Sequence, residues 1–166
     1  LHRSATTFRT ALAGIQYLLL GTGDAANPPT AGGAFIKSHP DKDIPDMQIH
    51  YVSIAVPDVH GRADIPTEHG FSSIVYACRP QSRGHITLKS SNAEDAPLMF
   101  PNYLSEEQDL IDTRNGFRET RRVFMQEAFD EYRGDQLKPG PDVNVDDDRE
   151  LDQWIRETGE SLYHPI

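Results

Sequence analysis

The sequence predicts an α+β domain in which a mostly antiparallel β-sheet is flanked on one side by α-helices. Apolar residues recur with helical spacing near the N-terminus, alternate with polar residues in the middle, and return to helical spacing in the last third. Strands and helices do not alternate along the chain, which argues against a doubly wound nucleotide-binding fold. The 166 residues are enough for one domain with its own core.

The N-terminal segment predicts an amphipathic helix over about residues 5–20, followed by a loop. The sequence GTGDAA at 21–26 resembles the glycine turn of a dinucleotide-binding fold, but that turn needs a strand before it and a helix after it. Here Pro28 and Pro29 follow, and proline disfavours a helix at that point. We therefore interpret Gly21 and Gly23 as the end of the helix. Its apolar stripe consists of Phe8, Leu12, Ile15 and Leu19.

Four segments in the middle of the chain have the pattern of β-strands: 34–36, 47–51, 71–78 and 83–90. Alternation predicts one apolar and one polar face on each longer strand, as in an antiparallel sheet covered on one side. The connection 79–84 is short enough for an antiparallel hairpin between the last two strands. The apolar faces consist of Met47, Ile49 and Tyr51, then Ile74, Tyr76 and Cys78, then Ile86 and Leu88.

Two helices are predicted in the C-terminal third. Ser105 and Gln108 have the spacing of an S-x-x-Q capping box. Asp147 with Glu150 predicts the start of a second helix, and Gly159 predicts its end. The apolar stripes consist of Leu110, Phe117 and Phe124 in the first helix and of Leu151, Trp154 and Ile155 in the second.

Composition restricts the partners of the chain. A net charge of -10 argues against nucleic acid, because proteins that bind a phosphate backbone concentrate lysine and arginine on one face. No apolar stretch has the roughly 20 residues of a transmembrane segment, and the N-terminus lacks the pattern of a signal peptide. The single Cys78 allows no internal disulfide, which favours a reducing, cytoplasmic location. The start at Leu1, without an initiator methionine, suggests a piece of a longer protein.

Residue types alone offer three candidates for chemistry. Cys78 falls on an apolar strand face, which favours an inert thiol over a nucleophile. The loop 58–69 contains two histidines and three carboxylates, but their irregular spacing favours a solvated loop and no metal site. A zinc-dependent hydrolase that uses His60, Glu68 and His69 stays open as an alternative. His164 precedes Pro165, which holds it out of a helix in an extended pose that suits a general acid or base.

Several ordered motifs resemble those of the glucose-methanol-choline (GMC) oxidoreductases. CRPQSRGHITL at 78–88 and PLMFPNYL at 97–104 are similar to the family patterns P-x-S-R-G-x-I-x-L and P-x-I-x-x-N-Y-L. The segment 116–122 resembles the family's following helix, and SLYHPI at 161–166 resembles the opening of its H-P-x-G-T motif. The resemblance extends over essentially the whole chain.

This resemblance implies an FAD-dependent flavoprotein that oxidises a primary alcohol to an aldehyde. Residues 1–166 then correspond to the substrate-binding domain, and the FAD-binding domain and the rest of the H-P-x-G-T motif lie outside the chain. His164 is implied to assist removal of the alcohol proton while a hydride passes to FAD. The isolated fragment is expected to bind no FAD, to be inactive, and to self-associate through the surface that its FAD-binding domain would cover.

The substrate is less defined by the residues. Choline-type members resemble one another in having a carboxylate near the first strand, whereas residues 30–35 supply neither a carboxylate nor an aromatic cage. A neutral alcohol is therefore the expectation. Phe35, Tyr51 and Tyr76 are candidates for the pocket lining, against the alternative that strand aromatics belong to the core. A non-enzymatic interaction module on the same scaffold is the alternative function.

Overall fold

The computed structural model describes residues 7–26, 30–55 and 70–161, and it confirms the α+β class. Short 3₁₀ turns follow the first and second helices, at Asp24–Ala26 and Glu127–Phe129. The helices are α1 (Thr7–Leu20), α2 (Glu107–Phe124) and α3 (Asp148–Thr158), and the strands are β1 (Thr30–Ile36), β2 (Met47–Val52), β3 (Ser72–Ala77), β4 (His85–Thr87) and β5 (Leu98–Phe100).

The main sheet consists of β1, β2 and β3, all antiparallel, with β2 in the centre. Ile49 lies opposite Ala34 on one side and Val75 on the other. Successive side chains point to opposite faces of a strand, so Met47 and Ile49 share one face and Gln48 and His50 the other. The register shifts between Thr30 and Gly32 in β1.

Helix α2 packs on one face of this sheet at a point where it has no side chain. A Cβ atom on Gly116 would lie 2.6 Å from Met47 Cε and 3.1 Å from Val75 Cγ2. Glycine therefore allows the helix to approach closely, and Met47 and Ile49 beneath it are almost fully buried. In β3 the residue against the helix is Val75. Ile74 and Tyr76 were expected to face the helices, but their register with β2 directs them away from α2. All six residues of β3 are half-buried, so burial does not alternate along this strand.

A second core lies between α2 and α3. It consists of Leu110, Leu151 and Ile155, with Leu104, Phe117 and Trp154 packed around it. Leu110 and Phe117 therefore meet the stripe of α3 as expected. Phe124, the third residue of the predicted stripe, instead packs edge to face with Tyr51 and Phe71. The start and end of α3 are also confirmed, since the Asp147 side chain accepts from the backbone N–H groups of Arg149 and Glu150, and Gly159 is the C-cap. Arg114 donates to Asp152 at 2.7 Å and fixes the two helices to each other.

Strand β4 does not pair with β3. It pairs with β5 in a separate two-stranded sheet, with His85 opposite Phe100 and Ile86 opposite Met99, so the predicted hairpin between residues 71–78 and 83–90 is wrong. The chain between β3 and β4 is instead bound to the first turn of α2, which directs it away from the main sheet. Ile86, expected to be covered, is 68% exposed.

A tight junction closes the β4–β5 hairpin next to α2. Gly84 lies against the backbone at the end of β5, where a Cβ atom would be 2.2 Å from Phe100 O. Asn102 has the left-handed backbone angle φ 54, and its Nδ2 donates to Arg83 O and Ser105 Oγ, both at 3.0 Å. The turn expected at Asn102 is therefore present.

The predicted capping box at the start of α2 is wrong. The helix begins at Glu107, its N-cap is Glu106, and no side chain caps it. Ser105 Oγ accepts from Asn102 Nδ2, and Gln108 Nε2 donates to Asp112 instead of reaching back to the N-cap. The Glu106 N–H donates to Ser82 Oγ at 3.1 Å, so a residue distant in sequence satisfies this amide.

Replacement of Asn102 tests this junction. We expect Asn102→Ala to lower the free energy of unfolding by about 1–2 kcal/mol, because two hydrogen bonds are lost and alanine is strained at a left-handed angle. Asn102→Gly is the matched control, since it loses the same bonds without strain and should be the milder change. Urea unfolding followed by circular dichroism measures both. An alanine variant as stable as the unchanged chain would contradict the role of this side chain.

Helix α1 is confirmed and ends as expected. Gly21 has φ 65, and its N–H donates to Tyr17 O at 2.8 Å, the pattern of a glycine that terminates a helix. Because a helix precedes it, the segment 21–26 is not a dinucleotide-binding turn. The apolar stripe of α1 is uncovered within the described residues, and Phe8 is 73% exposed. In the described part of the chain, no helix has the combined length and apolarity needed to cross a bilayer.

Candidate functional site

The face of the main sheet opposite α2 carries an unusual mixture of aromatic and polar side chains. We call it the open face. Strand alternation and the observed register place a row of residues from the three strands there: Phe35 from β1, Gln48 and His50 from β2, and Ile74 and Tyr76 from β3. Among the described elements, α2 packs on the opposite side of these strands.

His50 is the centre of a hydrogen-bonded group on the open face. Its Nε2 lies 2.9 Å from Gln48 Nε2 and 3.2 Å from Tyr76 Oη. The two rings meet edge to face, with their centres 5.6 Å apart. The Gln48 amide nitrogen can only donate, so His50 Nε2 is the acceptor of this bond. Burial raises the pKa of Tyr76, and so does the neighbouring Cys78, so the phenol stays protonated at neutral pH.

This group can exchange hydrogen bonds with a small hydroxylated ligand. An imidazole, an amide and a phenol supply both donors and acceptors, and Phe35 and Ile74 supply apolar surface beside them. Gln48 and His50 are not among the residues predicted for the site, because the polar side of each strand was expected to face solvent. Two polar residues separated by one position, opposite a tyrosine of the next strand, are the signal that identifies such a group.

The three aromatic residues predicted to line a pocket lie on two different faces of the sheet. Phe35 and Tyr76 lie on the open face, and Phe35 is 63% exposed. Tyr51 lies on the helix side, where its ring meets that of Phe124 edge to face at 5.7 Å. This position favours the alternative that Tyr51 belongs to the core. Phe35 and Tyr76 remain candidates for the pocket lining.

A separate charged cluster lies beside a cavity of about 200 Å³ at the edge of the sheet. Ser38 Oγ is 2.7 Å from Asp46 and 2.9 Å from Asp112, and Lys42 Nζ is 2.9 Å from Asp112 and 3.2 Å from Asp46. Burial raises the pKa of Asp46, but hydrogen bonds from Ser38 and Lys42 outweigh it and leave the pKa lowered. One ammonium pairs with two carboxylates, and these bonds fasten the β1–β2 connection to α2.

Cys78 has the character of an inert thiol. It is half-buried at the end of β3, and its N–H donates to Asp46 O. Burial raises the pKa of the thiol, and the charge of Asp46 raises it further against the smaller opposite effect of Arg79. Little thiolate forms at neutral pH, which agrees with the structural interpretation of this residue.

Two of the candidates lie outside the described residues. His164 falls in 162–166, and His60, Glu68 and His69 of the hydrolase alternative fall in 56–69. Within residues 7–26, 30–55 and 70–161, no three histidine, cysteine or acidic side chains group together as metal ligands. Those same residues contain no strand, glycine turn and helix in succession, so they do not form a cradle for the FAD pyrophosphate.

Two solved structures that resemble the chain are oxidases by name. A formate oxidase superposes on 90% of the chain with a TM-score of 0.71 and 16% identity, and the chain covers 30% of it. The pyridoxine 4-oxidase from Mesorbium loti superposes on 76% of the chain with a TM-score of 0.63 and 19% identity, and the chain covers 24% of it. At these identities the likeness establishes the fold.

Sequence relatives and a family model agree with the fold. The oxygen-dependent choline dehydrogenase of Brucella ovis is 39% identical over 99% of the chain, and that of Pseudomonas fluorescens is 40% identical over 92%. The chain spans only 29% and 26% of these relatives. The model described as GMC oxidoreductase matches residues 80–166, more than half of the chain. The resemblance seen in the motifs is therefore confirmed, and the chain belongs to the GMC oxidoreductase family.

Proposed function

We propose that residues 1–166 are the substrate-binding domain of a longer FAD-dependent enzyme that oxidises a primary alcohol to an aldehyde. The match of the GMC oxidoreductase model over residues 80–166 carries this proposal. The remaining length of the relatives leaves room for the FAD-binding domain, which the described residues do not provide. A cytoplasmic location belongs to the same proposal, supported by the single cysteine.

In this proposal the open face contributes to the wall of the alcohol site. Phe35 and Tyr76 contact the carbon chain of the substrate, and the polar group of Gln48, His50 and Tyr76 orients its hydroxyl. Tyr76 stays protonated, because burial raises its pKa, and its O–H can donate to the alcohol oxygen. These residues position the substrate and do not need to change charge during the reaction.

His164 is proposed as the acid/base. When bound, FAD supplies the acceptor for the hydride, which leaves the protein one proton to handle near neutral pH. A histidine titrates in that range, and Pro165 keeps it in an extended segment. Removal of the hydroxyl proton by the His164 imidazole raises the electron density on the carbinol carbon and assists departure of the hydride.

The substrate could be cationic choline or a neutral primary alcohol, and the two differ in the charge that the site must accommodate. The relatives that are 39–40% identical are named choline dehydrogenases, which favours choline. The side chains of the open face include no carboxylate to pair with a trimethylammonium group, which favours a neutral alcohol. We retain the neutral primary alcohol, because a quaternary ammonium group needs a negative charge or an aromatic cage.

The test is reduction of the flavin in the full-length parent without oxygen. Short, long and aromatic primary alcohols are compared with choline and with its neutral isostere, in which carbon replaces nitrogen. We expect the flavin band to bleach, and faster with the isostere than with choline. His164→Ala should slow bleaching by roughly 10²–10⁴-fold, the usual contribution of an acid/base group. His39→Ala is the control, since His39 is exposed in the β1–β2 connection.

Each outcome separates one part of the proposal. Bleaching at an unchanged rate in the His164→Ala variant would contradict the acid/base role of His164 but leave the proposed alcohol oxidation intact. Faster bleaching by choline than by its isostere would replace the neutral substrate with a cationic one. If the full-length parent bound no flavin after FAD was supplied, the proposal of an FAD-dependent enzyme would be contradicted, and the alternative of a non-enzymatic interaction module would be favoured.

A further inference from the structure

Arg83 is held in one orientation by the segment of chain that precedes it. Its Nη1 donates to Pro80 O at 2.7 Å and to Ser82 O at 3.0 Å, which uses both hydrogens of that nitrogen. Its own carbonyl accepts from Asn102 Nδ2 at 3.0 Å. An exposed arginine normally samples many rotamers, but these bonds fix the plane of this guanidinium.

The other edge of the guanidinium is left without an acceptor among the described residues. Nε and Nη2 make no hydrogen bond there, although Asp109 lies close enough to feel the charge of Arg83. Both oxygens of Asp109 are already occupied, Oδ1 by the Gln81 N–H and Oδ2 by the N–H and O–H of Ser82. Arg83 therefore presents an oriented pair of parallel donors that the described part of the chain does not use.

The hairpin that follows Arg83 carries an uncovered apolar face. On the β4–β5 hairpin, Ile86 lies opposite Met99, and both are about two-thirds exposed. Leu88 continues the same side of the hairpin beyond β4 and is 84% exposed. We call these three side chains the hairpin face. An isolated two-stranded hairpin with an uncovered apolar face has little stability of its own, so this arrangement favours a partner.

We propose that Arg83 and the hairpin face form a docking surface for the part of the parent protein that lies outside this chain, with Arg83 bound bidentately to an aspartate or glutamate there. The proposal rests on the proposed function in one respect, namely that the chain is one domain of a longer protein. The relatives extend far beyond the aligned part, so such a partner has the necessary length. A fixed guanidinium edge matches the two oxygens of one carboxylate, and the uncovered hairpin face adds apolar contact area for the same partner.

Arginine-specific labelling of the full-length parent tests the contact. Phenylglyoxal is applied to the native protein, and the labelled residues are quantified by mass spectrometry. We expect Arg83 to react more slowly than Arg149, an exposed arginine of α3, by roughly tenfold or more, which corresponds to about 1.4 kcal/mol of protection. Equal rates would overturn the proposal. Protection that disappears on dilution would assign the surface to a second copy of the protein and would also overturn it.

Variants of Arg83 with different charge distinguish two roles of this residue: binding a carboxylate of the partner, and stabilising its own loop. Hydrogen exchange of the hairpin amides in the full-length parent should rise least for Arg83→Lys, more for Arg83→Gln and most for Arg83→Glu, because only the last repels a carboxylate. Arg149→Gln is the matched control and should change nothing in the hairpin. Equal effects of the Gln and Glu variants would show that Arg83 only braces its own loop and would overturn the proposal.

The cofactor is the other possible source of an anion. In Arg83→Gln, the phosphorus NMR signals of bound FAD should stay unchanged if the acceptor is a carboxylate. A shift of those signals would assign the guanidinium to the pyrophosphate and overturn the proposal. Labelling and exchange need no alcohol, so a parent that protects Arg83 but whose flavin no alcohol bleaches contradicts only the proposed reaction.

Discussion

Gly84→Ala should lower the free energy of unfolding by about 3 kcal/mol or more, at the upper end of what overpacking costs. A Cβ atom there would lie 2.2 Å from Phe100 O and 2.5 Å from Pro101 O. These are backbone atoms, so a change of side-chain rotamer cannot relieve the contact. The β4–β5 hairpin would have to open, and the bond from Asn102 to Arg83 O would weaken with it. Space, and not a special backbone angle, makes glycine necessary at this position.

The matched control for this variant is Gly134→Ala. No atom lies within 4 Å of a Cβ built on Gly134, and its backbone angle suits alanine. Urea unfolding of both variants measures the difference, and hydrogen exchange at His85–Phe100 locates it. If Gly84→Ala were as stable as Gly134→Ala, the hairpin would not close against α2 in the way described.

Asp109→Asn should lower the free energy of unfolding by about 2–4 kcal/mol at neutral pH. The carboxylate is 2% exposed and accepts from Gln81 N at 2.6 Å, from Ser82 N at 2.8 Å and from Ser82 Oγ at 2.5 Å. An asparagine has one acceptor oxygen, so its NH₂ group would face an N–H donor, and a buried donor left without an acceptor costs about 1–3 kcal/mol. Asp135→Asn, at an exposed position, removes the same charge without these bonds.

The same substitution has a defined dependence on pH. Burial raises the pKa of Asp109, but the hydrogen bonds from Ser82 and Gln81 outweigh it and leave the pKa below the usual value of an aspartate. A lowered carboxylate pKa stabilises the folded state above the unfolded pKa, and that contribution is lost as the pH falls through the folded pKa. The difference between the unchanged chain and Asp109→Asn should therefore be constant near neutrality and shrink below about pH 4. A difference that is independent of pH would contradict this role.

Periodicity predicted the elements whose apolar face is buried within the chain itself. Leu110, Leu151 and Ile155 were identified by spacing alone, and they form the core between α2 and α3. The alternation of Met47 and Ile49 predicted β2, which lies under α2. In these cases the burial that produces the pattern occurs inside the described part of the chain, so local sequence is sufficient.

Pairing and capping were not predictable from spacing, because distant residues decide them. The connection 79–84 has the length of a hairpin, but Asp109 binds Gln81 and Ser82 and takes the chain to α2. Ser105 has the position of a cap, yet Asn102 already uses its hydroxyl. For the site, alternation correctly placed Tyr51 on the face of Met47 and Ile49, which α2 covers. It could not show that Tyr76 lies on the other face, because only the pairing with β2 decides that.

The state of Cys78 makes the chain suitable for site-specific spectroscopy. The chain contains one cysteine, and burial keeps its thiol protonated and half-covered near neutral pH. A second cysteine introduced at an exposed position, such as Leu88→Cys or Leu18→Cys, would react much faster with a maleimide because more of it is thiolate. Spin labels or fluorophores can therefore be attached in this domain without first removing its native thiol.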